Sequence, residues 1–467
     1  MDNAALKNIW AEKYQIVPNQ FNKLKQISSA ATAFNTNIDA ILKINGETLK
    51  KLIIDNHISV SELEDIKLSC FNRPEDVIIG IVKCFSRGIA EEWVTEDIAV
   101  YSWMERYLGY DRLQMGGQGG IIANALALLG IQKVIAHTNS HPKIQADQFL
   151  GLNNLYAIAD DGSLQKAAEI SRLQDIPLIH WIIEFDKGDS FTVEGKTFTC
   201  PKSNRFIATY DPLNMNLVMN QGFVSYLENN KTDYLLLSGF HPLLARKNGL
   251  ELIKNAVPVI KRWKEANPEM IIHLEIASTQ DKAIRQAIIE QIAPLVDSAG
   301  LNERETIDLL EITGQTELAA QTEKETTACN LFKAVLFLKE KLNVSRIQLH
   351  MFGLYLTVQD GRFPYSPKDN LNGMMTAAVV SSSKAYNGEL TEYSHVSKTL
   401  GTPVADAGLN ELKALAQMLN KPELLENGLC EVNGYFVSAI PTILVDKPKT
   451  LVGMGDTISS VSLLAGR

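Results

Sequence analysis

The residues best suited to chemistry lie near the C-terminus, where an apolar run ends in Gly453-Met454-Gly455-Asp456-Thr457 and a helical pattern begins at once. Glycines let the backbone turn sharply there, and the free N–H groups of a helix start form a cradle for a phosphate or a developing oxyanion. A carboxylate beside that cradle, Asp456, is placed to take a proton from a hydroxyl attacking phosphorus. Asp is also a preferred helix N-cap, so the tetrad alone carries either reading. Two segments from the other end of the chain add hydrogen-bonding groups. Phe34-Asn35-Thr36-Asn37-Ile38-Asp39 follows an apparent strand start, and Gly116-Gly117-Gln118-Gly119-Gly120 precedes the helix-like run IIANALALLG. Asn and Asp at strand ends can pair with neighbouring sugar hydroxyls, and a glycine-rich turn lets backbone amides reach the same ring. Each segment read by itself is equally an Asx turn or a flexible turn into a helix.

These groups need a scaffold, and the chain has the length for one. Its 467 residues accommodate two or three average domains, or one large α/β core with an appendage. Hydrophobic residues make up 45% and charged residues 21%, which is ordinary globular usage. A formal net charge of -9 argues against a general grip on nucleic acid or an anionic membrane and favours small-molecule substrates. Five cysteines, odd in number and without C-x-x-C spacing, suggest neither a disulfide framework nor a structural zinc site. The opening MDNAALKNIWAEKYQ lacks the basic start and apolar run of a secretory signal, and no apolar stretch reaches the roughly 18 residues of a membrane helix. A cytoplasmic location is the expectation.

Apolar, β-branched runs alternate with helical patterns over most of the length. KVIAHT, DYLLLSGF, MIIHLEIAS, LVDSAG, RIQLHMF and GLYLTV read as strands, and HPLLARKNGLELIKNAVPVIKRWKEA reads as a helix between two of them. That alternation predicts an α/β fold with a largely parallel sheet flanked by helices. Two stretches break the rhythm. IIGIVKCFS, PLIHWIIEFD, DSFTVEGKTFTC and NRFIATY carry stronger strand signals, with a hairpin expected at Val193 to Lys196. The expected division is a large domain from 1–39, 116–154 and 221–467, and a discontinuous small domain from 40–115 and 155–220.

Taken together, FNTNIDAI, GGQGGIIAN, HLEIAS, SAGLNERE and VGMGDTISS occur in an order and spacing that resemble the ADP-dependent glucokinase and phosphofructokinase family, a branch of the ribokinase-like superfamily. The blocks run from residue 34 to residue 460. The resemblance implies a ribokinase-like large domain with a mostly parallel central sheet and a smaller α+β lid. It implies transfer of the β-phosphoryl group of ADP to a hexose hydroxyl in a modified glycolysis, with Mg²⁺ on the donor. The acceptor leans towards fructose 6-phosphate, giving fructose 1,6-bisphosphate and AMP. Glucose, alone or as a second substrate, is the alternative, and a non-catalytic sugar or nucleotide sensor on the same fold is a further one. Oligomeric state is expected to be a monomer or small homo-oligomer.

The resemblance also distributes roles. Asp456, Gly453 and Gly455 match the catalytic turn, whose backbone with Met454 would also hold nucleotide phosphate, while His350 lies where relatives build part of the nucleotide pocket. Asn37, Asp39, Gly117 and Gln118 match sugar ligands. His180 and Glu92 match lid residues that meet the sugar; the one is equally a packing residue and the other, like Glu91, a solvated charge. Lys202 and Arg205, with Lys187 as a further candidate, supply cations for a sugar phosphate, unless they are simply solvated on their strands. His273 and Glu275 stand two apart on a strand and so share a face. Glu275, Glu305 and Asp456 form the expected Mg²⁺ environment, with His273 and Asn302 nearby. Asn302 to Glu305 also reads as a helix-opening capping box, and the two roles are compatible.

Overall fold

The computed structural model describes residues 1–64, 68, 70–279 and 281–467. Its strands are β1 (Ala30–Ala33), β2 (Asn37–Lys43), β3 (Glu91–Val94), β4 (Arg112–Gly116), β5 (Val134–Ala136), β6 (Leu155–Ile158), β7 (Leu164–Lys166), β8 (Ile179–Phe185), β9 (Ser190–Val193), β10 (Lys196–Thr199), β11 (Asn204–Tyr210), β12 (Tyr234–Leu237), β13 (Ile271–Glu275), β14 (Ser298–Leu301), β15 (Arg346–Met351), β16 (Leu354–Gln359), β17 (Leu429–Val432) and β18 (Tyr435–Pro441).

Eleven strands form one sheet in the order β17-β18-β16-β15-β14-β13-β12-β1-β5-β6-β7. Its centre, from β15 to β6, is parallel, and antiparallel strands finish both edges. Runs such as YLLL in β12 are buried at every position, as a sheet covered on both faces requires. The helices Gln118–Leu128, Pro367–Asn387 and Met454–Ala465 pack on one another over this sheet. Functional loops then gather at the carboxyl ends of the parallel strands, where open α/β sheets bind ligands.

A second sheet, β3-β11-β8-β2-β4, has its own apolar core. Alternation along its strands sends Ile38, Ala40, Trp181, Ile183, Phe206 and Ala208 into that core and leaves the opposite face to the cleft. The expected hairpin is present: Val193 pairs with Lys196, and Glu194 and Gly195 both have positive φ, as a two-residue primed turn needs.

Two expectations change. IIGIVKCFS lies in the helix Pro74–Arg87, not in a strand. Pro74 in the first turn, Glu75 and Asp76 beside it, and Gly88 as a left-handed C-cap mark a helix buried almost all round, which hides its periodicity. The segment from 155 also departs from the expected boundary. β6 pairs with β5 and β7 with β6, so both extend the large sheet, and the small sheet resumes only at β8. β2, conversely, begins at Asn37 in the small sheet, not at 40.

Candidate active site

Gly453 caps the helix Met454–Ala465 with φ +62°, a left-handed conformation that side chains resist. The first-turn amides of that helix are the free donors of a helix start. Asp456 sits in this first turn, half-buried, and accepts a 3.0 Å hydrogen bond from Gln118 Nε2. Burial raises the Asp456 pKa, and the Gln118 bond and the Lys384 charge pull it back. Gln118 opens its own helix behind Gly117, and its Oε1 accepts from Gly239 N at 3.4 Å. Gly117 has φ +72°, and a Cβ there would stand 2.6 Å from both Asn35 O and Asn37 Oδ1. The glycine turn is therefore what allows Gln118 and the Asn37 segment to stand together.

The small sheet presents a polar row to the same place. Register pairs Gln114 with Asp39, Asp39 with His180, and His180 with Thr209, so one cross-strand line carries all four. Asn37 Nδ2 donates to Asp39 Oδ1 at 3.1 Å. Burial pushes the Asp39 pKa up to about 6, against the lowering pull of the His180 charge and its Asn37 and Gln114 bonds. For His180, burial works against protonation, but the hydrogen bond and charge of Asp211, with Glu92 and Asp39, raise its pKa to about 9. The pairing is direct, with His180 Nε2 3.0 Å from Asp211 Oδ2, and Asn214 N and Nδ2 hold the Asp211 carboxylate in turn. Glu92 Oε1 accepts from Thr209 Oγ1 at 2.7 Å and lies 4.0 Å from His180 Nδ1.

Between the two bodies is a cavity of about 780 Å³, lined by Asn35, Glu92, His180, Arg205, Thr209 and His241 among others. Asn35 Oδ1, Asn37 Oδ1 and His241 Nδ1 are buried in this region without a hydrogen-bond partner among the described residues. Unpaired buried polar atoms are costly, so a cluster of them fits a site whose ligand brings the missing partners. The set of donors and acceptors suits a polyol, and the cations Arg205, Arg246 and Lys247 at the wall suit an anionic group.

Under the helix start lies a set of acidic groups. Glu275 ends β13 buried, and burial together with the charges of Asp456 and Glu305 raises its pKa well above the usual range. Burial likewise takes Glu305 up to about 8, with the Asp456 charge adding to it. Three carboxylates, all hard oxygen donors, fit a divalent ion. Among the described residues no three His, Cys, Asp or Glu side chains converge tightly enough to cage one, which suits an ion bound largely through water and phosphate.

His273 is engaged on both ring nitrogens within the sheet. Arg346, Ser298 and His273 form a cross-strand row on β15, β14 and β13. Arg346 Nη1 donates to Ser298 Oγ at 3.1 Å, and Ser298 Oγ lies 3.0 Å from His273 Nδ1. His273 Nε2 faces Glu275 Oε2 at 3.2 Å. Burial keeps His273 neutral.

The structure thus brings together Asn37, Asp39, Gly117, Gln118 and the turn Gly453-Met454-Gly455-Asp456, and sets Glu92, His180 and Arg205 on the cleft face of the small sheet. Asn302 and Glu305 form the capping box, with Asn302 Oδ1 accepting from Glu305 N at 3.0 Å and Glu305 Oε2 from Asn302 N at 2.8 Å. His350 is buried on β15 with Nε2 3.9 Å from Glu275 Oε1, beside the acidic cluster. Lys202 is not brought in: the turn after β10 carries it against Gly88, away from the cavity wall, and Lys187 lies exposed in the turn before β9. Sequence reasoning passed over Thr209, Asp211, His241, Arg346 and Lys384. Only Asp211 carried a signal, in the turn-forming Asp-Pro of ATYDPLNMN.

Comparison with known proteins identifies the family of the chain. The family described as ADP-specific Phosphofructokinase/Glucokinase conserved region matches residues 28–465. An ADP-specific phosphofructokinase of Methanosarcina acetivorans is 28% identical over 98% of this chain and 96% of its own. An ADP-dependent glucose/glucosamine kinase of Pyrococcus abyssi is 31% identical over 98% of each. Among solved structures, the last common ancestor of ADP-dependent phosphofructokinases from Methanosarcinales superposes with a TM-score of 0.86 at 30% identity, covering 100% of this chain and 99% of its own. An ADP-dependent kinase in complex with fructose-6-phosphate and ADPbetaS gives 0.81 at 29% identity, covering 100% and 98%. With a family match over nearly its whole length, a ribokinase-like α/β fold and a carboxylate at the glycine-capped helix start, the chain belongs to the ADP-specific phosphofructokinase/glucokinase family.

Proposed function

We propose that this chain transfers the β-phosphoryl group of ADP to a hexose hydroxyl, with fructose 6-phosphate as the main acceptor. The observation that carries the reading is the Asp456 carboxylate, held by Gln118 at the free-amide end of a helix and adjoining the Asn37 and Asp39 cluster. In this reading Asn37, Asp39, Gln118 and His180 hold the sugar, and Asp456 accepts the proton of the attacking hydroxyl. The Met454 and Gly455 amides face the charge that builds on the transferring group. Glu275 and Glu305, with Asp456, would hold Mg²⁺, which when bound neutralises the donor phosphates. The small body closes over the acceptor, excluding water that would otherwise take the phosphoryl group. Arg205, with Arg246 and Lys247 across the cleft, favours a phosphorylated sugar.

Glu92 favours glucose as a second substrate. Its carboxylate, bonded to Thr209 beside His180, offers acceptors to a neutral sugar's hydroxyls. The test is to mix protein, Mg²⁺ and ADP with fructose 6-phosphate or glucose and measure AMP. AMP with fructose 6-phosphate supports the main reading, AMP with both sugars supports the second, and AMP with glucose alone overturns fructose 6-phosphate as the acceptor. No AMP with either sugar, nor with other hexoses, sinks both and leaves a sugar or nucleotide sensor.

A further inference from the structure

We propose that Lys384 is a positioning residue for phosphoryl transfer, one that fixes and charges the amide cradle from behind. This rests on the kinase reading above. Lys384 lies in the last turn of the helix Pro367–Asn387, where a lysine ordinarily reaches into water. Here its ammonium turns inward and donates to Gly453 O at 3.1 Å and to Thr457 Oγ1 at 3.4 Å. Thr457 Oγ1 donates to the same carbonyl at 2.8 Å, and Thr457 N bonds it at 3.2 Å as the first helical bond. One carbonyl thus gathers three donors, of which one is a cation.

That carbonyl belongs to the peptide whose N–H is Met454. In a trans peptide the C=O and N–H point in opposite directions. Holding Gly453 O back towards Lys384 therefore turns the Met454 amide forward, out of the helix start. Gly453 has no side chain to brace its left-handed backbone, and a Cβ there would stand 2.9 Å from Lys384 Nζ. The lysine replaces that bracing. Its positive charge adds to the partial charge of the helix N-terminus, at the spot where negative charge grows during transfer. It spends its protons on a carbonyl and a hydroxyl, and among the described residues no carboxylate is hydrogen-bonded to it. Burial lowers the Lys384 pKa to about 8, against the raising pull of Asp456, Glu389 and Asp39, which leaves it cationic at neutral pH.

A separate cavity of about 210 Å³, lined by Lys384, Thr457, Ile121, Asn124, Gln148 and Gly388, opens on this lysine and gives a small amine a way in. The experiment compares wild type, Lys384→Met, Lys384→Gln, Lys384→Arg and Lys384→Ala. The kinetic readouts are kcat and KM for ADP and sugar, with thermal midpoints recorded alongside. Lys384→Met and Lys384→Gln should lose about 100-fold in kcat, the scale of one oxyanion donor, with sugar KM changed by less than about threefold. Lys384→Arg should keep most of kcat, and ethylammonium should restore about tenfold to Lys384→Ala. As a readout independent of turnover, inorganic phosphate should move the amide resonance of ¹⁵N-labelled Met454 in wild type and not in folded Lys384→Gln. A kcat within about threefold of wild type in the Met and Gln variants overturns the proposal. So does an Ala variant that ethylammonium does not help, or a Met454 resonance that responds to phosphate equally in both proteins. A wild type that makes no AMP refutes the kinase reading instead, and the resonance comparison still decides the role of Lys384.

Discussion

Replacing Asp211 by Asn removes the charge that keeps His180 protonated while leaving the shape of the turn in place. The pair is buried, with side-chain exposures of 16% for His180 and 2% for Asp211. The rise of the His180 pKa from 6.5 to about 9 corresponds to about 3 kcal/mol at about 1.4 kcal/mol per unit. That agrees with the scale for breaking a buried ion pair. A raised histidine stabilises fully below its unfolded pKa, and the contribution fades as pH climbs through the folded value. Wild type should therefore lose stability between about pH 6.5 and 9. In Asp211→Asn burial prevails, so His180 should titrate below 6.5 and that stretch of the stability curve should flatten. The assay pairs an NMR titration of the His180 ring with urea unfolding from pH 6 to 9.5. Sugar affinity should fall as well, because neutral His180 no longer offers two donors. A variant with His180 still titrating near 9, or with a uniform stability loss at every pH, would refute the reasoning.

Gln118→Leu should leave the fold intact and move the acid limb of kcat/KM to higher pH, since the Gln118 bond lowers the Asp456 pKa; a pH profile of AMP formation reads this. Arg205→Ala should raise KM for fructose 6-phosphate at least about tenfold and leave KM for glucose nearly unchanged, which initial rates with both sugars will measure.

How much of this was legible in the sequence depends on the range of the interaction. Asp456 and its glycines, Gln118, Asn37 and Asp39 sit in short motifs whose local chemistry is visible in a few residues. The strands of the large sheet were legible because burial on both faces leaves unbroken apolar runs such as YLLL. The same logic misled at IIGIVKCFS, where a helix buried on nearly all sides shows no polar stripe and only Pro74 and Gly88 betray it. Thr209 escaped notice because its meaning lies in register: Thr209 is opposite His180, which is opposite Asp39, and no local pattern specifies such pairing. Lys202 and Arg205 looked equivalent in CPKSNRFIATY, yet strand alternation puts Arg205 on the cleft face and a turn takes Lys202 elsewhere. Lys384 was illegible because its partner, a carbonyl near the opposite end of the C-terminal region, has no sequence identity at all.

The central claim is that one carboxylate at a helix start removes the proton from the sugar. Single-turnover AMP formation by Asp456→Asn, with ADP and sugar affinities measured alongside by calorimetry, tests it directly. The variant keeps the size of the side chain and an acceptor for Gln118, so both ligands should bind within a few-fold of wild type while the chemical step slows by about 100-fold or more. A chemical step at close to the wild-type rate would contradict the account.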